Sequence, residues 1–226
     1  MEVVMPSLWE MPVPGGALSR RRLHGLLASW LDTDHRADRK AWSWKATSAG
    51  IEIGVLDDGL IGKLLAGAGS RVRQVAAVPW SDVASGSGCE WAVEFVSPVT
   101  FRRGNRLVPW PSPSAVLGSL RADWRRFGAP HVGDLDVDLA LDPVMVTEVT
   151  GTSEVERFML HERPDTTGHR VPVHVTVGGF RGRVTYAVED PRLRVAVGKL
   201  LAIAPYAGVG AHTTRGFGGV RLRPGR

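Results

Sequence analysis

GIEIGVLDDGLIGKLLAGAGSRVRQVAAVPW, residues 50–80, changes its hydrophobic period twice. In its first part Ile51, Ile53 and Val55 alternate with Glu52, Gly54 and Leu56, the two-residue period of a strand. Asp57 and Asp58 then give the acidic start that a helix N-terminus favours. Gly59 to Ala66 reads as that helix, stopped by Gly67, Ala68 and Gly69. Arg71 to Trp80 returns to a β-rich composition. Upstream, Gly16 to Asp32 carries Leu18, Leu23, Leu26, Leu27, Trp30 and Leu31 on a helical stripe, and Ala41 to Ser48 reads as another strand. With a short extended start, the order is β-α-β-β-α-β. That order predicts an antiparallel sheet with both helices on one face, the ferredoxin-like arrangement.

Downstream the order repeats. Ser85-Gly-Ser-Gly88 is a small-residue joint. Beyond it Trp91 to Arg102 reads as strand, and Ser112 to Phe127 as helix with Ser112 or Ser114 as its cap. Val144 to His161 and Val171 to Val188 read as two long strands, and Pro191 to Ala204 as a helix with proline in its first turn. Gly219 to Arg223 reads as a closing strand. The predicted fold class is therefore α+β, two tandem ferredoxin-like domains, 1–86 and 87–226.

The chain has 226 residues, 43% of them hydrophobic, enough for a sizeable core, which excludes a disordered or fibrous protein. No apolar run approaches the 18 or so residues of a membrane span, and the N-terminus has no secretory pattern, so the expectation is a cytoplasmic chain without a membrane partner. The single Cys89 offers neither a disulfide nor zinc-ligand spacing. Asp134, Asp136 and Asp138 alternate as a turn or strand facing solvent would, so no metal or cofactor is expected. Net charge is +5, and only four of the 28 basic residues are lysines (Lys40, Lys45, Lys63, Lys199), the rest arginines. Arginine suits bidentate contact with phosphate, so a polyanionic partner is indicated.

The most specific stretch is Gly208-Val-Gly-Ala-His-Thr-Thr-Arg-Gly-Phe-Gly218. Its two glycine-apolar-glycine triplets bracket His212, Thr213, Thr214 and Arg215. Glycine admits positive φ and close approach of backbone to a phosphate, and the bracketed residues add donors. On this reading a bulkier residue at Gly210 or Gly216 weakens binding of the phosphate-bearing partner more than folding.

This loop resembles the C-terminal glycine-rich loop of the repeat-associated RNA-binding superfamily, in particular of the CRISPR-associated Cas6 endoribonucleases, which process precursor CRISPR RNA. Four stretches agree in order: Leu23-His-Gly-Leu26; the segment from His35 through Lys40 to Trp44; Phe95-Val-Ser-Pro98 through Phe101-Arg-Arg-Gly104 and Val108-Pro-Trp-Pro-Ser-Pro113 into Val116–Leu120; and Val177–Tyr186. The resemblance implies metal-independent cleavage within the repeat. A ribose 2′-hydroxyl attacks the adjacent phosphodiester, leaving a 2′,3′-cyclic phosphate and a 5′-hydroxyl. It also implies repeat RNA as the partner, with further Cas effector subunits and a second copy of the chain as candidate partners. The alternative is a repeat-RNA-binding effector subunit that does not cut.

Such chemistry needs a base for the 2′-OH proton, an acid for the 5′-oxygen and a cation at the phosphorane. Of seven histidines, His35 stands where the resembling family carries its catalytic histidine, and Lys40 follows it as the candidate cation. His24, beside an apolar stripe, reads as a packing histidine. Some relatives use a tyrosine in the first helix, where this chain has Ala28 and Ser29. The candidate RNA-binding residues are Arg20, Arg21, Arg22, Arg102, Arg103, Arg125 and Arg181. The loop residues Gly208, Gly210, His212, Thr213, Thr214, Arg215, Gly216 and Gly218 join them. Trp42, Trp44, Trp91, Trp110 and Trp124 read as packing residues.

Overall fold

The computed structural model describes residues 5–13, 19–34, 37–83, 88–135 and 143–223, with the side chains of 160 and 161 left out. The first half is β1 (Ser7–Pro12), α1 (Arg20–Leu31), β2 (Trp42–Thr47), β3 (Gly50–Val55), α2 (Ile61–Ala68) and β4 (Arg73–Ala77). Its sheet has the order β2-β3-β1-β4 and is antiparallel throughout. The second half contains β5 (Glu90–Val99), the small hairpin β6 (Phe101–Arg103) and β7 (Arg106–Val108), and α3 (Pro113–Asp123). It continues with α4 (Ala129–Val132), β8 (Val144–Pro164), β9 (Arg170–Val188), α5 (Pro191–Ala207) and β10 (Val220–Arg223). Its main sheet, β10-β5-β9-β8, repeats the first topology. The fold is α+β, with two ferredoxin-like halves in tandem.

Local signals set most boundaries. Ser19 caps α1 through Arg22 N, and Leu23, Leu27 and Leu31 form its buried stripe. The Asp57 side chain accepts from Gly59 N, but the first turn it opens is 3₁₀, and α2 begins only at Ile61. Nor does Gly67 stop α2. The Trp30 ring lies where a Gly67 side chain would be, so this glycine brings α1 and α2 together and the helix runs on to Ala68. Ser112, rather than Ser114, caps α3 through Ala115 N, with Pro113 in its first turn. Past Asp123 the chain widens into a π turn, 124–128, that buries Trp124.

The core of the second half reaches into the first, since Leu56, Trp80 and Val83 belong to it. The expected boundary at 86/87 falls in 84–87, outside the described residues. The halves meet where the second face of β2 and β3 covers the end of α5. There Ser43 Oγ donates to the Tyr206 carbonyl at 2.9 Å, and Gly54 leaves room for that same carbonyl. Lys45 and Glu52 form an ion pair there, with Lys45 only 3% exposed. Burial holds the Lys45 ammonium below its usual range and Glu52 partly offsets this. Lys45 and Glu52 stand directly opposite each other on β2 and β3, so the pair serves the register of that hairpin at the buried face that meets the second half.

Past the main sheet, β8 and β9 continue as a two-stranded ribbon to the turn at 165–169. The ribbon passes the start of α1, where Arg20 pairs with Glu156 at 3.1 Å and Arg21 with Glu162 at 3.1 Å. It thus braces the first half against the second. Among the described residues no helix is long and apolar enough to cross a membrane.

Candidate nucleic-acid interface

A cleft of about 1000 Å³ opens between the halves. The segment 37–40 forms one wall. The other is built from β6, the Ser119–Asp123 face of α3 and loop residues 210–214. It brings together Lys40, Arg102, Arg103, Gly210, His212, Thr213 and Thr214. His35 and Arg36 lie outside the described residues.

The loop 208–218 is held by its own glycines. Gly208, Gly210, Gly216 and Gly218 have φ of 70, 84, 81 and 63°, a region open to glycine at little cost. Their amides are spent inside the fold: Gly208 on Ala204 O at 2.9 Å, Gly216 on Thr213 O at 3.2 Å and Gly218 on Pro98 O at 2.8 Å. Gly210 N donates to Ser119 Oγ at 2.9 Å. Val209, Ala211, Arg215 and Phe217 likewise donate to backbone carbonyls. A Cβ on Gly210 would overlap the Thr100 carbonyl oxygen, and one on Gly216 would sit 2.7 Å from the Trp44 ring. The four glycine amides are therefore spent on α5, α3, β5 and the loop itself, and the glycines serve the close packing of the loop.

The three amides that take no acceptor among the described residues are consecutive: His212, Thr213 and Thr214. His212 has φ of 62°, the one non-glycine residue described in the left-handed region, and it opens the 3₁₀ turn 213–215. A left-handed residue followed by right-handed ones turns successive N–H groups toward a common point, the geometry of an anion-binding nest. Trp44 Nε1 donates to the Thr214 carbonyl at 2.8 Å, and His24 Nδ1 bonds the same oxygen at 2.8 Å, so the turn is fixed from the first half. His24 also stacks on Trp42, as its reading as a packing residue requires. Burial lowers its pKa, partly offset by the bond to Thr214.

Lys40 faces the cleft but is tied to the end of α1, bonding the Asp34 carbonyl and pairing with Asp32 at 2.9 Å. Arg39 crosses the cleft floor to Ser119 O at 2.9 Å and to Asp123 Oδ1 at 2.8 Å. Sequence reasoning missed this latch, although Ser119 and Asp123 are a polar pair four apart on the face of α3 that also carries Val116 and Leu120. Burial pushes the Asp123 carboxyl up to about 6 against the pull of Arg39.

The other basic candidates separate. Arg20, Arg21 and Arg215 gather with His24, Phe158 and Met159 in a small recess beside the ribbon. Arg20 lies 4.7 Å over the Phe217 ring and Arg215 5.9 Å over Phe158. Arg22 is exposed on α1. Arg125 and Arg181 line neither cavity and pair with Asp134 and Glu154. Trp42, Trp44 and Trp124 are buried as expected and Trp91 partly so, but Trp110 is exposed.

Burial, reinforced by Arg215 and Arg102, pushes the His212 imidazole down to about 4. Between its unfolded value near 6.5 and 4, the unfolded chain binds a proton that the folded loop refuses. Stability at this site is thus present above pH 6.5 and is lost as pH falls toward 4. Asp123 acts in the opposite sense from about pH 6 to 3.8, where the fold takes up the proton first. We expect His212→Asn, which tolerates left-handed backbone, to remove the acid-side loss in urea unfolding measured from pH 7 to 4. Identical pH slopes for the variant and the parent protein would contradict a depressed His212.

The family model for the CRISPR-associated endoribonuclease Cas6 matches residues 93–220. The Cas6 endoribonuclease of Mycobacterium tuberculosis is 27% identical over 137 residues, 60% of this chain and 39% of that protein. The Streptococcus thermophilus Cas6 is 25% identical over 135 residues and is covered to 50%. The chain thus spans half the length, or less, of these curated relatives. Among solved structures, a Cas6 product complex superposes with a TM-score of 0.76 at 21% identity, covering 97% of this chain and 100% of that one. The family match takes in the π-turned helix, the long ribbon and the whole glycine-rich loop, more than half of the residues, and the chain belongs to the Cas6 family of CRISPR-associated endoribonucleases.

Proposed function

We propose that this chain cuts precursor CRISPR RNA within its repeats without a metal ion, through attack of a ribose 2′-hydroxyl on the neighbouring phosphodiester. The observation that carries the reading is the convergence, on one cleft, of three unspent amides at 212–214 with Arg102, Arg103 and Lys40. These groups suit a phosphate, and the phosphorane, with more negative charge, suits them better than the ground state does. His35 takes the 2′-OH proton as the 2′-oxygen bonds to phosphorus, the bond to the 5′-oxygen breaks, and that oxygen takes a proton from water. The product ends are a 2′,3′-cyclic phosphate and a 5′-hydroxyl. The two halves, 1–86 and 87–226, hold the RNA between them, and a second copy of the chain or effector subunits are further partners.

Lys40 already pairs with Asp32, and this favours a second reading, a repeat-RNA-binding subunit that does not cut. A single-turnover assay on the repeat with excess EDTA decides. Cleavage should persist in EDTA and stop when the 2′-hydroxyl upstream of the scissile phosphate is replaced by hydrogen, with binding retained. Cleavage of the deoxy-substituted RNA would mean that water attacks. Binding without any cleavage of the unmodified repeat would support the second reading.

A further inference from the structure

We infer that Trp110 is a stacking platform for one unpaired base of the RNA, at the rim of the cleft; this rests on the chain being an RNA binder, as proposed above. Of the eight tryptophans Trp110 alone is exposed, at 50%, and it has no ring or cation partner among the described residues. The exposure is built in rather than loose. Pro109 and Pro111 fix φ on either side, Ser112 N donates to the Trp110 carbonyl at 3.0 Å, and buried Tyr186 donates its hydroxyl to the Pro111 carbonyl at 2.7 Å. A backbone locked at both flanks holds a large apolar ring in water, where it lowers the free energy only when something covers it.

What surrounds it indicates what covers it. Trp110 stands two residues beyond the β6–β7 hairpin, whose Arg102, Arg103 and Arg106 are exposed and have no carboxylate partner among the described residues. Arg20, Arg21, Arg39, Arg125, Arg181, Arg183 and Arg223 all have one. Arg102 and Arg103 on one side of Trp110 in sequence, and Ser114 on the other, line the cleft. A protein partner would want a continuous apolar patch, but the other exposed large apolar residues lie on other elements: α2, β4, α4, β8 and α5. A lone ring among prolines and unpaired arginines suits a nucleotide, with the base on the indole and the phosphates on the guanidiniums. Bases inside a duplex have both faces covered, whereas an unpaired nucleotide offers a free face beside a backbone that the guanidiniums can reach, which favours an unpaired one.

The test measures affinity of the parent chain, Trp110→Phe and Trp110→Ala for repeat RNAs carrying one abasic site at each position in turn. Trp110→Ala should bind the intact repeat about 10- to 100-fold more weakly and Trp110→Phe only a few fold. One abasic position should cost the parent chain a similar factor and cost Trp110→Ala nothing further. Thermal stability should not move. Binding by Trp110→Ala within twofold of the parent, or losses that add to those of every abasic position, would overturn the platform alone. So would a change in oligomeric mass without a change in affinity, which would assign the ring to a protein contact. Failure of the parent chain to bind any repeat RNA would overturn the RNA reading itself.

Discussion

Replacing His35 with alanine should slow repeat cleavage by about 10²- to 10⁴-fold while affinity for the uncut repeat changes by no more than a few fold. The asymmetry follows from what a general base does. It lowers the barrier by accepting a proton as the 2′-oxygen attacks, and it contributes little to holding the phosphates, a role we propose for Arg102, Arg103 and the 212–214 amides. Single-turnover rates and filter-binding affinities on the same variant separate the two. A variant that keeps its rate would move the role to another histidine. His24 is half-buried with Nδ1 on the Thr214 carbonyl, and burial pushes the His212 imidazole down to about 4, which suits His212 to accept a proton rather than to give one.

Gly210→Ala should cost about 4 kcal/mol of stability, enough to lower the melting temperature by roughly 10 °C. One part of that cost is the φ of 84°, which alanine adopts only with strain. The other is overlap of the new methyl with the Thr100 carbonyl, which belongs to backbone and cannot turn away. Thermal melts and RNA affinity measured together should show affinity at low temperature falling no further than the unfolded fraction explains. A variant that melts normally but has lost RNA would restore the reading in which this glycine admits phosphate.

The two results would separate residues that the sequence presents as one motif. In the stretch 208–218 the glycines and the donors are contiguous, and composition alone cannot say whether glycine is there for a ligand or for a turn. Gly210, Ala211 and Gly218 donate to Ser119, Thr100 and Pro98, distant in sequence, five more of the loop's amides bond within 204–218, and only folding shows that, among the described residues, 212–214 are left over.

Sequence by itself determined the two β-α-β-β-α-β halves, because a period of two in 50–56, a helical stripe in 20–31 and serine or aspartate caps with proline at the first turn are local signals fixed by backbone geometry. It also pointed to the glycine loop and, through resemblance, to the Cas6 family. It could not show which arginines are available. Arg125 and Arg181 look like Arg102 and Arg103 until folding places Asp134 and Glu154 beside the first two and, among the described residues, no carboxylate in an ion pair with the others. Nor could it show that α2 runs past Gly67, or that Asp123 meets Arg39, 84 residues away. Each of these depends on what a side chain meets from another element, and charge pairing, burial and steric fit between distant segments exist only once the chain has packed.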